Sequence, residues 1–346
     1  MKFCTIGCGG HASHSHGPSQ KLYAQRHPEV ELSACCDLNP QLAETYRATF
    51  GFQHCYTNLE EMLAKENPDA VALVVPASAT SGLAIPLLER GMALHLEKPP
   101  GLTLNEYRRL LTAAQKGGGL NQVAFNRRYA PALVRARQWL DRDIPAQEVL
   151  HIRYDLVRYS RNESDFSITA IHGIDAVQYL ARSPYREIRL TYRELPQSGA
   201  GVAAISMEGV CLNGTEVSLT FQPMSGLLEE TAAIHAIDQS IHVNLLGTQA
   251  TFDGETSHWC RGALKSQVMV MNQELVERNG VYYETEAFLN AVQGIGTASP
   301  QLEDCRQQVI LMEAIRTRKS RVDFADRDAT RPNVSDVVRE LSGIDR

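Results

Sequence analysis

The strand-length run Phe3-Cys4-Thr5-Ile6 carries the chain straight into Gly7-Cys8-Gly9-Gly10-His11-Ala12, which matches G-x-G-x-x-A. Each small residue has a physical duty in that pattern. Gly7 permits the tight turn, Gly9 lets backbone amides approach a pyrophosphate, and Ala12 allows a helix to pack closely on the strand. A second short run over 31–36 ends in Cys36-Asp37-Leu38. A carboxylate at the C-terminal end of that strand accepts hydrogen bonds from an adenosine ribose and repels a 2′-phosphate. No Arg or Lys follows Asp37 directly, so NAD is favoured over NADP. Asp37 lies thirty residues after Gly7, against roughly twenty in the usual pattern. The surplus falls on 11–18, where Gly17-Pro18 is expected to interrupt any helix begun at Gly9. That segment holds His11, His14 and His16. Because no carboxylate or cysteine stands at suitable local spacing, it reads as a polar loop near the phosphates, and no metal is expected.

Outward from this turn, β-rich runs over 70–75, 92–96 and 120–125 alternate with amphipathic stretches over 41–50, 58–65, 81–90 and 103–116. That alternation implies crossover connections and a parallel, doubly wound α/β sheet. Thr103 and Glu106 form a capping-box pair for the last of these helices, which the Gly117-Gly118-Gly119 run stops. Beyond residue 126 the runs lengthen: 149–159, 188–194, 201–211, 216–222 and 241–246 follow one another with few helices between them. The second half therefore reads as α+β with a large, mostly antiparallel sheet, and helices at 169–181, 283–293 and 301–319. The expected division is 1–125 for the dinucleotide domain and 126–346 for a substrate-binding and oligomerisation domain. The stretch 326–333 reads as loosely packed.

Composition narrows the function. The 346 residues are 43% hydrophobic and 21% charged, a globular balance that suits two domains. Lys plus Arg number 34 against 40 for Asp plus Glu, and the net charge of −6 gives no electrostatic footprint for nucleic acid. No apolar run approaches the length of about 18 residues that a membrane span requires, and no signal-peptide pattern opens the chain, so a cytoplasmic protein is expected. The eight cysteines include no Cys-x-x-Cys pair and read as buried free thiols.

Further along the chain, Glu97-Lys98-Pro99 closes the fourth run. With the Gly-rich turn, Val74-Val75-Pro76, Asn126-Arg127-Arg128-Tyr129, His172-Gly173-Ile174-Asp175, Glu286-Ala287-Phe288-Leu289 and Pro300-Gln301-Leu302-Glu303, the chain resembles the glucose-fructose oxidoreductase, inositol dehydrogenase and MocA family over nearly its whole length. The resemblance implies a Rossmann domain, a C-terminal domain with a large open sheet, and homodimers or homotetramers built through that sheet. It implies hydride transfer between a nicotinamide and a hydroxyl-bearing carbon of a sugar, polyol or sugar-acid-like substrate, with His172 as acid/base and Lys98 orienting the substrate. An imidazole suits that proton transfer near neutral pH, and a cation favours charge developing on the reacting oxygen. The cofactor would lie against Gly7, Gly9, Gly10, His11, Ala12, Asp37, Leu38, Pro76, Thr80, Glu97 and Lys98. Arg128, Tyr129, Arg158, Asp175 and Tyr283 are the substrate-side candidates, and the Arg158 and Arg161 pair suggests an anionic group on the substrate.

Two positions depart from the family pattern. Ile168 stands where many members carry Asp four residues before the histidine, with Asp165 and Thr169 as the nearest replacements, and Thr80 stands where the family often has His. Two alternatives accompany the dehydrogenase reading: a glycosidase-type enzyme that oxidises its sugar transiently, and a non-catalytic protein that senses nicotinamide or sugar.

Overall fold

The computed structural model describes residues 1–246, 254–269 and 273–324; the stretch 326–333 lies outside them. Six parallel strands form the first sheet: β1 (Lys2–Ile6), β2 (Glu31–Cys36), β3 (His54–Tyr56), β4 (Ala70–Leu73), β5 (Ala93–Leu96) and β6 (Asn121–Val123), in the order β3-β2-β1-β4-β5-β6. The crossovers are α1 (Gly17–Arg26), α2 (Pro40–Phe50), α3 (Leu59–Glu66), α4 (Ala77–Glu89) and α5 (Leu104–Gly117). Local chemistry sets their ends. The Asn39 side chain accepts from the amides of Gln41 and Leu42 at the start of α2, with Pro40 in the first turn, where its missing N–H costs nothing. Thr103 caps α5 by accepting from the Glu106 amide at 3.1 Å, while Glu106 reaches back to the amide of Leu102 at 2.7 Å, one residue before the expected capping-box partner. Strand order reverses between β1 and β4, and in such sheets ligands bind in the crevice at this switch point.

The second half begins with α6 (Pro131–Asp143) and β7 (Val149–Val157), followed by α7 (Ser167–Ala181), β8 (Tyr185–Glu194), β9 (Ala203–Cys211) and β10 (Glu216–Gln222). The remaining elements are β11 (Glu229–Ala236), β12 (Gln239–Leu246), β13 (Glu255–Cys260), β14 (Ala263–Met269), α8 (Leu275–Arg278), α9 (Val281–Val292), α10 (Arg306–Arg316) and β15 (Arg321–Asp323). The nine strands order β14-β13-β12-β11-β7-β10-β9-β8-β15, antiparallel except for the parallel β7–β10 pair. Alternation along β7 turns Ile152, Tyr154 and Leu156 inward onto Leu133, Ile174 and Leu311 from the helices. His151, Arg153 and Asp155 face the other side of the sheet.

The halves interlock. Leu302, Cys305, Val309 and Met312 pack into the core of the first sheet, and Tyr282, Phe288 and Leu289 of α9 pack with Phe3, Cys8, Ala12 and Tyr23. The outer strand β6 is covered where the Val123 amide donates to the Pro300 carbonyl at 2.8 Å. All eight cysteines are free thiols; six are buried as expected, while Cys55 and Cys260 are half-buried.

Candidate functional site

The Gly-rich turn is held by backbone geometry that admits little else. Gly7 has φ +92°, and a Cβ there would lie 2.1 Å from the Val74 carbonyl oxygen. The Gly7 amide donates to the Cys36 carbonyl at 2.8 Å, and the Cys8 amide donates to Asp37 Oδ2 at 2.8 Å, so the turn is locked to the end of β2. Asp37 Oδ1 accepts from the Asn39 amide, again at 2.8 Å. Above Gly9 and Gly10 there is open space. A cradle that a Cβ would fill at Gly7, open at the next two glycines and flanked by a strand-end carboxylate, fits a dinucleotide. Ala12 is buried, as close helix packing requires, whereas Leu38 is almost fully exposed. Pro76 precedes α4, and Thr80 is buried one turn in, its hydroxyl donating to the Pro76 carbonyl at 3.4 Å.

The 11–18 segment corrects the expected loop. Helical backbone begins at Gly10, passes through a π-turn over Ala12–His16 and continues as α1 through Gly17 and Pro18. The Gly17 amide donates to the Ala12 carbonyl five residues back. A π-turn widens the helix locally, so Pro18, which lacks an N–H, is accommodated without ending it. Gly17 itself meets the Phe50 ring, 2.5 Å from where its Cβ would stand. The turn places His11 Nε2 and His16 Nε2 each 2.8 Å from the same oxygen, Glu97 Oε1, at the end of β5. Burial alone raises the Glu97 carboxyl; the two imidazoles override it and hold the group well below the usual carboxylate range.

Lys98 follows Glu97, and its Nζ donates to the Ile168 carbonyl at 3.3 Å. Ile168 is in the first turn of α7, one turn before His172, so this bond brings Lys98 and His172 to one cavity of about 90 Å³. Ser15, Glu97, Asn126, Arg127 and Glu284 also line it. His172 is buried, and its Nδ1 has no hydrogen-bond partner among the described residues. Burial, then the charges of Arg127 and Lys98, hold its pKa well below 6.5, so the ring is neutral at pH 7. Burial also pulls the Lys98 ammonium below its ordinary value, opposed by Glu97 and reinforced by Arg127 and Arg161.

The substrate-side candidates divide differently from the sequence expectation. Asp175 is fully buried and takes both Arg128 nitrogens at 2.6 and 2.7 Å, with Gln308 donating at 3.0 Å. Arg158 is buried against Glu230, which also accepts from Arg127 and Tyr154. Arg128–Asp175 and Arg158–Glu230 are thus buried ion pairs, and Arg161 donates to Glu163 and Thr169, so among the described residues each of these cations already has an internal partner. Tyr129 and Tyr283 line a separate cavity beyond α9. Asp165 accepts from the amide and hydroxyl of Ser167 just before α7, and Thr169 accepts from Arg161, so the hydrogen bonds of both go to residues other than His172 among the described residues.

Sequence reading missed Arg127 and Glu284. Each is one residue from a named candidate; one residue is a rotation of about 120° in the 3₁₀ turn of Arg127 and about 100° in α9, which holds Glu284. Glu284 is buried, with Oε1 unpartnered among the described residues and Oε2 3.8 Å from His95 Nε2. Burial and the neighbouring Glu97 charge raise its pKa well above the carboxylate range.

Residues 1–125 match a family model described as an oxidoreductase family with a NAD-binding Rossmann fold. An inositol 2-dehydrogenase/D-chiro-inositol 3-dehydrogenase of Shouchella clausii is 26% identical over 169 residues, covering 47% of this chain and 49% of that protein. The matched stretch thus spans about half the length of that relative. A D-glucoside 3-dehydrogenase of Escherichia coli is 23% identical over 338 residues, covering 91% and 93%. Among solved structures, a levoglucosan dehydrogenase in complex with NADH and L-sorbose superposes with a TM-score of 0.79 at 18% identity, covering 93% of this chain and 98% of that one. Such likeness shows a shared two-domain fold.

Proposed function

We propose that the chain, whose residues 1–125 match the Gfo/Idh/MocA oxidoreductase family model, transfers a hydride between NAD and a hydroxyl-bearing carbon of a sugar or polyol. NAD, when bound, accepts or returns the hydride. The turn from Gly7 to Gly10 would hold its pyrophosphate, and Asp37 its adenosine ribose. His172 takes the hydroxyl proton on Nδ1 during oxidation and gives it back during reduction. Lys98 faces the oxygen that loses this proton and favours the negative charge developing there. Ser15, which lines the same cavity, offers a hydroxyl that orients the substrate edge.

The observation that carries this reading is the Lys98–Ile168 hydrogen bond, which seats a cation one helical turn from a neutral histidine whose Nδ1 has no partner among the described residues. Association as a homodimer or homotetramer through the open face of the second sheet belongs to the same proposal. Calorimetric titration with NAD⁺ and NADP⁺ tests the cofactor half. Wild type should prefer NAD⁺, and Asp37→Ala should weaken that preference. Binding of neither would mean that the Gly7–Ala12 segment is only a turn.

A further inference from the structure

We propose that His11, His16 and Glu97 bind a divalent transition-metal ion of the zinc type, with its open coordination position facing the cavity of Lys98 and His172. The chemistry of the set is that of a two-histidine, one-carboxylate site, which suits Zn²⁺ and its neighbours and leaves room for an oxygen ligand. The ligand atoms of all three residues lie within 4.8 Å of one another. Tetrahedral bonds of about 2.1 Å separate neighbouring ligand atoms by about 3.4 Å, whereas each imidazole now stands 2.8 Å from the shared Glu97 oxygen. Opening the cluster by about half an ångström therefore admits the ion. His16 is 2% exposed, whereas His11 is 56% exposed, so entry is from the His11 side.

The backbone supports the same conclusion independently. On a regular helix, residues five apart lie about 140° around the axis and cannot share a ligand. The π-turn between His11 and His16 removes that separation, and turns of this kind recur at functional sites. The carboxylate missing from the local spacing comes from Glu97, at the far side of the switch point. Ser15 and Glu97 line the cavity together with His11, so an ion here would share its space with the substrate edge.

The test uses the full chain, stripped with chelator and titrated with Co²⁺, a coloured stand-in for Zn²⁺. One equivalent should bind with a visible absorption band of four- or five-coordinate Co²⁺, and Zn²⁺ should displace it. His11→Ala, at an exposed position that should still fold, should weaken binding by more than the roughly 10–100-fold that loss of an outer partner costs. Glu97→Gln should do the same, whereas His14→Ala and His172→Ala should leave the band unchanged. Failure to bind one equivalent, or binding that survives His11→Ala intact, overturns the site and shows that the three side chains form a hydrogen-bonded cluster only. NAD⁺ is titrated into the wild-type chain with chelator present, apart from the Co²⁺ titration, so the metal site and the hydride reading fail separately.

Discussion

A neutral histidine with a buried nitrogen that has no partner among the described residues is ready to accept a proton, and the account stands on His172 doing so. His172→Ala should abolish turnover while NAD⁺ affinity, measured by calorimetry, stays within a few-fold of wild type. The depressed pKa has a consequence for stability with a definite sign. The unfolded chain protonates this residue near pH 6.5, the folded protein only well below that. As pH falls through 6.5 the unfolded state takes up more protons, so acidification from pH 7 toward 5 destabilises the fold. Melting curves should show a smaller loss over that range in His172→Asn than in wild type; equal losses would contradict the neutral ring. Asp175, by contrast, is an ion-pair residue. Asp175→Ala leaves Arg128 buried without its counter-charge and should cost about 3–5 kcal/mol by denaturant unfolding, an effect that a substrate contact would not produce. At this scale the sequence was legible to within one residue. It pointed to Arg128 and Tyr283, where the cavity is lined by Arg127 and Glu284, because motif position identifies a segment while the helical face is settled only by packing.

The first-domain elements were legible because their signals are local and repeated. Asn39-Pro40 and Thr103 start helices where hydrogen-bonding chemistry requires, and the apolar runs of β1, β2 and β4 are buried on both faces as a parallel sheet demands. Two kinds of element were not. Strands β11, β13 and β14 carry Ala, Glu, Ser and Lys at many positions, and their pairing partners rather than their own propensity make them strands. The continuous helix through Gly17-Pro18 defies a strong local breaker, because the π-turn relieves the clash that Pro18 would otherwise cause. Gly17 is retained there by contact with Phe50. Gly17→Ala should therefore destabilise the protein by about 1–3 kcal/mol, the range for overpacking a close contact, even though Ala is the better helix former. A neutral or stabilising result would show that the Phe50 ring moves aside freely.

For the whole molecule, strand order divides the chain near residue 125, but the helices do not respect that division. The α9 and α10 helices return from the second half to cover the first, burying Phe288, Leu289, Val309 and Met312 against its cores. A fragment ending at residue 125 should melt well below the full chain and expose apolar surface to a hydrophobic dye; a fragment as stable as the whole would contradict the interlock. Long-range packing of this kind has no local signature, which is why the return of α9 and α10 onto the first sheet could not be read from the sequence. The same interlock sets Glu284 and His172 beside Lys98, three segments of chain converging on one cavity at the switch point of the first sheet. Among the described residues no helix is long and apolar enough to cross a membrane. The most direct measurement of the central claim is absorbance at the NADH band, with NAD⁺ present, across a panel of sugars, polyols and sugar acids, for wild type and His172→Ala side by side. The account predicts NADH formation with at least one panel member in wild type and none in the variant. Equal rates in both would remove His172 as the base, and NAD⁺ binding without reduction anywhere in the panel would contradict the dehydrogenase reading itself.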